Sequence, residues 1–550
     1  MSVVPRDARL ESPSSFTPGV ELEHLQFINS FLSELPGDAI LVNTPRQVYS
    51  AAYSFVEPAP TNGTPRLIAC STATLALLGL DPGQCGRQQF AAIFSGNSPW
   101  PNSHARPYAH CYGGWQFGEW AGQLGDGRAI SLGHVAGRNG IAWEVQQKGA
   151  GPTPYSRGGD GRAVLLSSLR EHVASEAMAA LGIPTTQALA LVLTGGSVHR
   201  DMLYSGDLRP HPGAVTTRVS HGFLRFGTLQ LPAARGGDQL GLVKELTDYV
   251  IRHHYPRLAG ATAQQQQYAL WLQEVGNKTA ALIAEWHRVG FVHGVLNTDN
   301  LSLLGETLDY GPFGFLERFD PDYIPNTSDL PEGRYRFRNQ PGIGAFNLEK
   351  LGEALVVGGL VTQEEVLIAL AAYQATFVTA YRAAMARKLG MRELSQDILR
   401  QLLQLMYEDG ADYTNTFRSL ASACLDTPAQ PALRKLPLPP GLAPALGPLS
   451  EARTIAWKGW QGRYCDHLAT EGLPIIERVA IQDAANPFIV PRNHVLAGLA
   501  SRVEAGELGP LHRYLEALER PYMVQEVEHS WIQPGPRQLR EGIDQLSCAS

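Results

Sequence analysis

The chain lacks the features that announce several common protein classes. Its six cysteines (Cys70, Cys85, Cys111, Cys424, Cys465 and Cys548) show no C-x-x-C spacing. That excludes a zinc-ribbon pattern and a dense disulfide framework, and reads as reduced thiol usage. Lys and Arg number 45 against 52 Asp and Glu, so a net charge of -7 offers no electrostatic footprint for nucleic acid. No apolar stretch reads as long enough to span a bilayer, so no membrane partner is expected. The opening MSVVPRDARLESPSS has no apolar core and carries Asp7 and Glu11, which argues against a secretory signal and for a cytoplasmic protein. Internal repeats are absent, and Gln264 to Gln267 is the sole low-complexity run. With 550 residues, 44% of them hydrophobic, the chain can bury a sizeable core over several domains.

The chemistry is concentrated in Phe291 to Phe315, FVHGVLNTDNLSLLGETLDYGPFGF. An apolar entry leads to His293-Gly294, then Asn297, Asp299 and Asn300. A short strand is expected over Leu301, Leu303 and Leu304, followed by Asp309-Tyr310-Gly311. Carboxylates and carboxamides are poor strand formers and costly to bury alone. Four of them around one strand point to a cation, and their hard oxygens suit Mg²⁺ or Mn²⁺. The spacing is that of protein kinases, in which H-R-D-x-x-x-x-N supplies a base and a metal-binding Asn, and D-F-G a second metal ligand. Asn300 stands seven residues after His293, and Asp309-Tyr310-Gly311 takes the D-F-G place. The position of the kinase base is Val295, which cannot accept a proton, and Asp299 is the replacement candidate. A plain hairpin with an Asx-rich turn is the other reading of this run.

Upstream, helices are expected over Glu21 to Leu35 and Thr72 to Leu80. The turn holding Gly125, Gly127 and Arg128 precedes a strand, Ala129 to Val135. Its backbone N–H groups and Arg128 could cradle phosphate, although a tight hairpin has the same composition. A second strand, Ile141 to Gln147, ends at Lys148, and a loop with Asp160, Gly161 and Arg162 follows. Leu165 to Leu181 reads as a helix carrying Glu171. Lys148 and Glu171 suit the kinase pair of a strand Lys held by a helix Glu. Glu171 equally fits a capping box with Ser168, and Lys148 a surface lysine. Strands over Ala188 to Leu193, Gly213 to Ser220 and Phe223 to Leu231 carry Arg218 and Arg225, either a clamp on an anion or two exposed arginines.

Long helices over 238–256 and 262–289 lead into the catalytic run, and Leu316 to Gly344 stands in the place of an activation segment. Residues 345–425 read as helical, with a capping box Thr362–Glu365 and a core stripe of Val366, Leu370, Tyr373, Phe377 and Tyr381. A Pro-rich linker covers Asp426 to Ser450, helices continue to about Leu518, and the tail thiol Cys548 is either redox-active or incidental. The expected fold class is α+β, a protein-kinase-like two-lobed fold with extra N-terminal and C-terminal helical segments. Its boundaries are an N-terminal extension (1–95), an N-lobe (96–235), a helical C-lobe (236–425), a linker (426–450) and a C-terminal segment (451–550).

Several long runs in order, among them HCYGGWQFGEWAGQLGDGRAI, QQKGAGPTPYSRGGDGRAVLLSSLREHVASEAM, GFVHGVLNTDNLSLLGETLDYGPFGF and YRFRNQPGIGAFNLEKL, resemble the selenoprotein O family, here in a bacterial-type form with Cys in place of selenocysteine. The resemblance implies a kinase-like fold that acts as a protein adenylyltransferase, moving AMP from ATP to Ser, Thr or Tyr hydroxyls of proteins, with the ATP reversed relative to kinases. It implies that Gly125, Gly127, Arg128, Lys148, Asp160, Gly161, Arg218, Arg225 and Asp309 contact the nucleotide and that Glu171 positions Lys148. It makes Asp299 the base, and Asn300 and Asp309 the metal ligands. In bacterial relatives a Cys after the D-Y-G segment can pair with the terminal Cys; Pro325 stands there in this chain, which leaves Cys548 without that partner. Ordinary γ-phosphoryl transfer, UMP transfer and a non-catalytic nucleotide-binding pseudokinase are the alternatives.

Overall fold

The computed structural model describes residues 19–101, 104–138, 140–259, 264–422, 445–535 and 545–547. Its first half is organised by one antiparallel sheet. Strands β1 (Tyr53–Phe55), β2 (Arg66–Cys70), β3 (Tyr108–His110), β6 (Ala129–Ala136), β7 (Ala142–Lys148), β9 (Gln187–Arg200) and β10 (Arg209–Ser220) run in the order β1-β3-β6-β7-β10-β9-β2, and β8 (Ala163–Val164) pairs with β10. Strands β4 (Gly113–Gln116) and β5 (Glu119–Gln123) form a separate hairpin. Two strands from the segment read as an N-terminal extension therefore belong to this sheet. Helix α4 (Leu165–Ala180) lies across β9 and β10, burying Leu165, Leu169, Val173 and Ala177.

The second half is helical. Helices α6 (Leu240–His254), α7 (Gln264–Val289), α8 (Gln340–Val357) and α9 (Gln363–Leu389) pack around the fully buried Trp271 and Trp286 and neighbouring apolar side chains, while α10 (Gln396–Asp409) and α11 (Tyr413–Ser419) join the end of α9 in a second cluster around Trp457 and Trp460. The Thr362–Glu365 capping box is formed at the start of α9. Four further helices, Glu451–Glu471, Ile475–Ala485, Asn493–Glu504 and Gly509–Leu518, close the C-terminal side.

Several expectations are corrected. The helix read over Glu21 to Leu35 is one 3-10 turn, Leu22–His24, and the short α1, Ser30–Glu34. Between them Phe27 bridges to Val135 and the Ile28 amide bonds to His134 O at 2.8 Å. An uncovered stretch of β6 competes for those backbone groups and wins over local propensity. The strand read over Phe223 to Leu231 is instead α5, Phe226–Arg235, started by the Arg225 amide donating to Thr228 Oγ1 at 3.1 Å. Residues Leu301 to Leu304 make isolated bridges only.

Ser168 does not cap α4. The cap position is Val164, and the Ser168 hydroxyl donates to Ala214 O at 3.3 Å. Cys70 at the end of β2 and Cys85 in the turn Pro82–Gly86 are joined by a disulfide, with Cα atoms 6.8 Å apart, so the all-thiol reading fails where helix α2 (Thr72–Leu78) folds the chain back. Helix α9 is long and apolar enough to cross a membrane by length and composition, with 17% of its most apolar window buried, against the reading that no stretch reaches that length. Most of the Pro-rich linker, and Cys548, lie outside the described residues. Residue Leu546 pairs with Asn326, directly after Pro325.

Candidate active site

The expected site residues converge on one cleft between the sheet and the helical half, with a volume of about 610 Å³. Gly125, Gly127 and Arg128 line it from the loop before β6, and Asp160 and Gly161 from the loop before β8. Lys148 enters from the end of β7, Arg218 from β10 and Arg225 from the start of α5, while Asp299, Asn300 and Asp309 form the opposite wall. Two glycines are required by geometry. Gly125 has φ 73° and Gly161 φ 65°, and a Cβ at either would run into Tyr155 or the Gly151 carbonyl respectively.

A charge network ties the two sides together. Lys148 Nζ donates to Glu171 Oε2 at 2.5 Å and to Asp309 Oδ1 at 3.0 Å. Lys148 is thus the partner of Glu171. Arg218 reaches Glu171 at 2.7 Å and Asp309 at 2.5 Å, and Arg225 also bonds Asp309. Burial pushes the Asp309 carboxyl up, but Arg218, Arg225 and Lys148 outweigh it and hold the group well below the ordinary carboxylate range. Asp309 sits at φ 57°, a left-handed conformation that Asp tolerates better than most side chains. Asp160 pairs with Arg200 at the rim.

Asp299 has the opposite environment. Burial raises its carboxyl to about 6, only partly offset by the Gln116 hydrogen bond and Arg225. Its Oδ2 accepts from Gln116 Nε2 at 3.0 Å, and its Oδ1 is buried without a partner. The β4–β5 hairpin makes this arrangement. The Trp115 amide donates to Thr298 Oγ1 at 2.7 Å and the Phe117 amide to the Tyr335 hydroxyl at 2.7 Å, which in turn bonds Asn297.

Sequence reasoning missed Gln116, Asp126 and Gln146. Asp126 is 2% exposed and accepts from the His110 amide at 3.2 Å, Tyr112 Oη at 3.1 Å and Gln146 Nε2 at 3.1 Å, with Arg225 at 3.5 Å. Gln146 Oε1 in turn accepts from Arg218 Nη2 at 2.6 Å. Asp126 could have been found, because it stands between two glycines already singled out. Gln116 and Gln146 carry no spacing signal.

Asn300 and Asp309 are the candidate metal ligands. Among the described residues no group of three or more His, Cys, Asp or Glu side chains is arranged for a metal. Asn300 Nδ2 donates to Val295 O at 2.8 Å, which leaves its Oδ1 as the ligand atom. One carboxamide oxygen and one carboxylate fit a hard divalent ion whose other ligands are water and phosphate oxygens.

The family model for protein adenylyltransferase SelO matches residues 43–519. This chain belongs to the SelO family. Relatives named protein nucleotidyltransferase YdiU include those of Tolumonas auensis, 42% identical, and Azoarcus sp. (strain BH72), 43% identical, each over 96% of this chain and 99% of the relative. That of Xanthomonas campestris pv. campestris (strain 8004) is 42% identical over 96% of this chain and 100% of the relative. The matched SelO region spans the whole cleft, and the chain is accordingly an enzyme of the nucleotidyltransferase class. In this SelO-family enzyme seven cationic side chains line the cleft (Arg128, Lys148, Arg157, Arg162, Arg200, Arg218 and Arg225) against four carboxylates (Asp126, Asp160, Asp299 and Asp309). In a protein of net charge -7, that local excess marks a polyanion site.

Proposed function

We propose that the enzyme transfers AMP from ATP to Ser, Thr or Tyr hydroxyls of proteins and releases pyrophosphate. The observation that carries this reading is Asp299, a buried carboxylate with one unpaired oxygen on the wall of the cationic cleft, where Val295 has replaced the kinase base. A carboxyl raised to about 6 accepts a proton more readily than an ordinary aspartate. Asp299 takes the proton of the acceptor hydroxyl as its oxygen attacks the α-phosphorus. The α–β phosphoanhydride bond breaks and its electron pair leaves on pyrophosphate. Arg218, Arg225 and Lys148 are the cations available to the charge that develops there. Asn300 and Asp309 would hold Mg²⁺ or Mn²⁺, which when bound neutralises phosphate charge.

The fold reading supported by these placements is kinase-like, with Lys148 and Glu171 on the sheet side and Asp299, Asn300 and Asp309 on the helical side. Residues 96–235 and 236–425 form the two lobes, and β1 and β2 extend the first. The test is incubation of the full chain with a protein acceptor, metal and ATP labelled at the α- or the γ-phosphate. Incorporation of α-label is expected. Incorporation of γ-label alone, or of neither label, overturns the reading, and preferential incorporation from α-labelled UTP replaces AMP by UMP.

A further inference from the structure

A second concavity lies away from the cleft. It is a groove of about 590 Å³ between α9, α10 and the segment after Asp309-Tyr310-Gly311, with Phe319, Phe377, Tyr381, Leu399 and Leu403 on its walls. Across α10 a second hollow shares Arg400 and Gln404 with it and continues to Leu405 and Ile455.

Its surroundings are unusual for a solvent-facing helix pair. From Val366 to Tyr381 α9 carries no charge over 16 residues, yet Leu367 is 58% exposed and Val378 53%. Tyr407 on α10 and Ile455 on the helix beyond are 51% and 64% exposed. Exposed apolar side chains gathered around a groove on a folded enzyme mark a place where another molecule binds.

The rim says which molecule. Four arginines border the two hollows: Arg338, Arg382, Arg400 and Arg463. Asp322 engages Arg338 at 2.9 Å and Asp397 engages Arg400 at 2.7 Å. Arg382 and Arg463 make no ion pair among the described residues, and Arg463 bonds only the neutral Gln401, at 2.7 and 3.0 Å. Two uncommitted cations over an apolar floor complement a ligand that is apolar on one face and acidic at its edges. The chain's own Pro-rich run is a poor match, since its Arg434-Lys435 would meet like charge.

We propose that this groove docks an acidic, apolar segment of the protein that receives the nucleotide, in the manner of a helix or extended peptide laid in a hydrophobic groove. The inference rests on the protein acceptor in the function proposed above. Phe319 and Pro321 lie on the segment that follows the catalytic run, which ties the groove to the cleft along the chain. Docking there raises the effective concentration of an acceptor hydroxyl at the cleft without contacting the reacting atoms.

The probe is a short fluorescein-labelled peptide of Glu, Leu and Trp with its apolar residues at helical spacing, titrated with the full chain by fluorescence polarisation. Binding is expected, at least tenfold weaker in the double variant Arg382→Glu, Arg463→Glu, and lost when Lys replaces Glu in the peptide. With dephosphorylated casein as acceptor, the double variant should raise KM at unchanged kcat, while transfer to the enzyme itself stays constant. Equal binding of the Glu and Lys peptides, or no effect of the double variant on binding, overturns the proposal. So does a concentration-dependent dimer dissolved by Val378→Asp, or binding to phosphatidylglycerol vesicles that the peptide does not displace, because each names a different occupant. Charge-dependent peptide binding without nucleotide transfer would sink the proposed function and leave the groove standing. Transfer without such binding does the reverse.

Discussion

Two buried ion clusters in this molecule look alike on paper and differ in use. Behind the segment that follows Asp309-Tyr310-Gly311, Arg492 bonds Glu317 at 2.9 Å and Asp412 at 2.8 Å, and His494 adds 3.3 Å to Glu317. Asp412 is fully buried there, and one arginine and one histidine answer two carboxylates. In the cleft, Lys148, Arg218 and Arg225 converge on Glu171 and Asp309, with further arginines along the walls and the unpaired Asp299 oxygen opposite. The first cluster is closed and pins the C-terminal helices to the catalytic half. The second opens to solvent with surplus positive charge. A buried ion pair alone is weak evidence of either stability or function; the excess of one sign and access to a cavity separate the two.

The sharpest way to break this comparison is Asp309→Ala. Transfer should fall by about a thousandfold or more, with far-UV circular dichroism close to wild type and a lowered thermal midpoint, because Lys148, Arg218 and Arg225 lose the carboxylate they converge on. A variant that keeps its activity would make the cleft cluster as structural as the other. Asp299→Asn should cost about 10²–10⁴ in kcat, with a thermal midpoint at neutral pH equal to or above wild type. The sign follows from burial. A carboxyl at about 6 when folded, against 3.8 ordinarily, is ionised at a cost to the folded state above that pH. The wild-type rate should correspondingly drop as pH falls through about 6, because the base becomes protonated.

For the closed cluster the effect should move to stability. Arg492→Met leaves the buried Asp412 without its cation and Glu317 with His494 alone, and should cost about 3–5 kcal/mol, read as a lower urea midpoint with unchanged kcat per folded molecule. Burial raises Glu317, but Arg492 and His494 outweigh it and hold it at about 2. Its stabilisation is therefore present above the ordinary 4.5 and lost as pH falls toward 2. Calorimetry of Glu317→Gln should show a flatter acid limb. The smallest change expected is Gln116→Ala, about tenfold in kcat with little change in the KM for ATP, as Asp299 loses the donor that holds its Oδ2. An unchanged kcat would assign that hydrogen bond to packing alone.

Much of the cleft was legible in one dimension because its chemistry is written in residue types at short spacings. Asn300 and Asp309 lie nine positions apart on one turn and its return, and Lys148 ends β7 while Glu171 lies only 23 positions on, in α4. Gln116 and Gln146 were not legible. Gln116 meets Asp299 across 183 positions and Gln146 meets Arg218 across 72, and a glutamine at such distances is chemically unremarkable until the chain is folded. The helix misread at Glu21 to Leu35 and the strand misread at Phe223 to Leu231 fail for different reasons. The first is settled by a distant partner, the open stretch of β6, whereas the second turns on a local bond, the Arg225 amide to Thr228 Oγ1 three residues on.

The sequence by itself determined the family and the identity and order of the charged residues, because these depend on residue types and their order. Only the tertiary structure decided which carboxylate is held ionised and which is raised, since that depends on burial and on neighbours brought from opposite ends of the chain. It also decided which apolar helix face stays uncovered. Periodicity marks the apolar residues of α9 but not how many of them the neighbouring helices leave exposed.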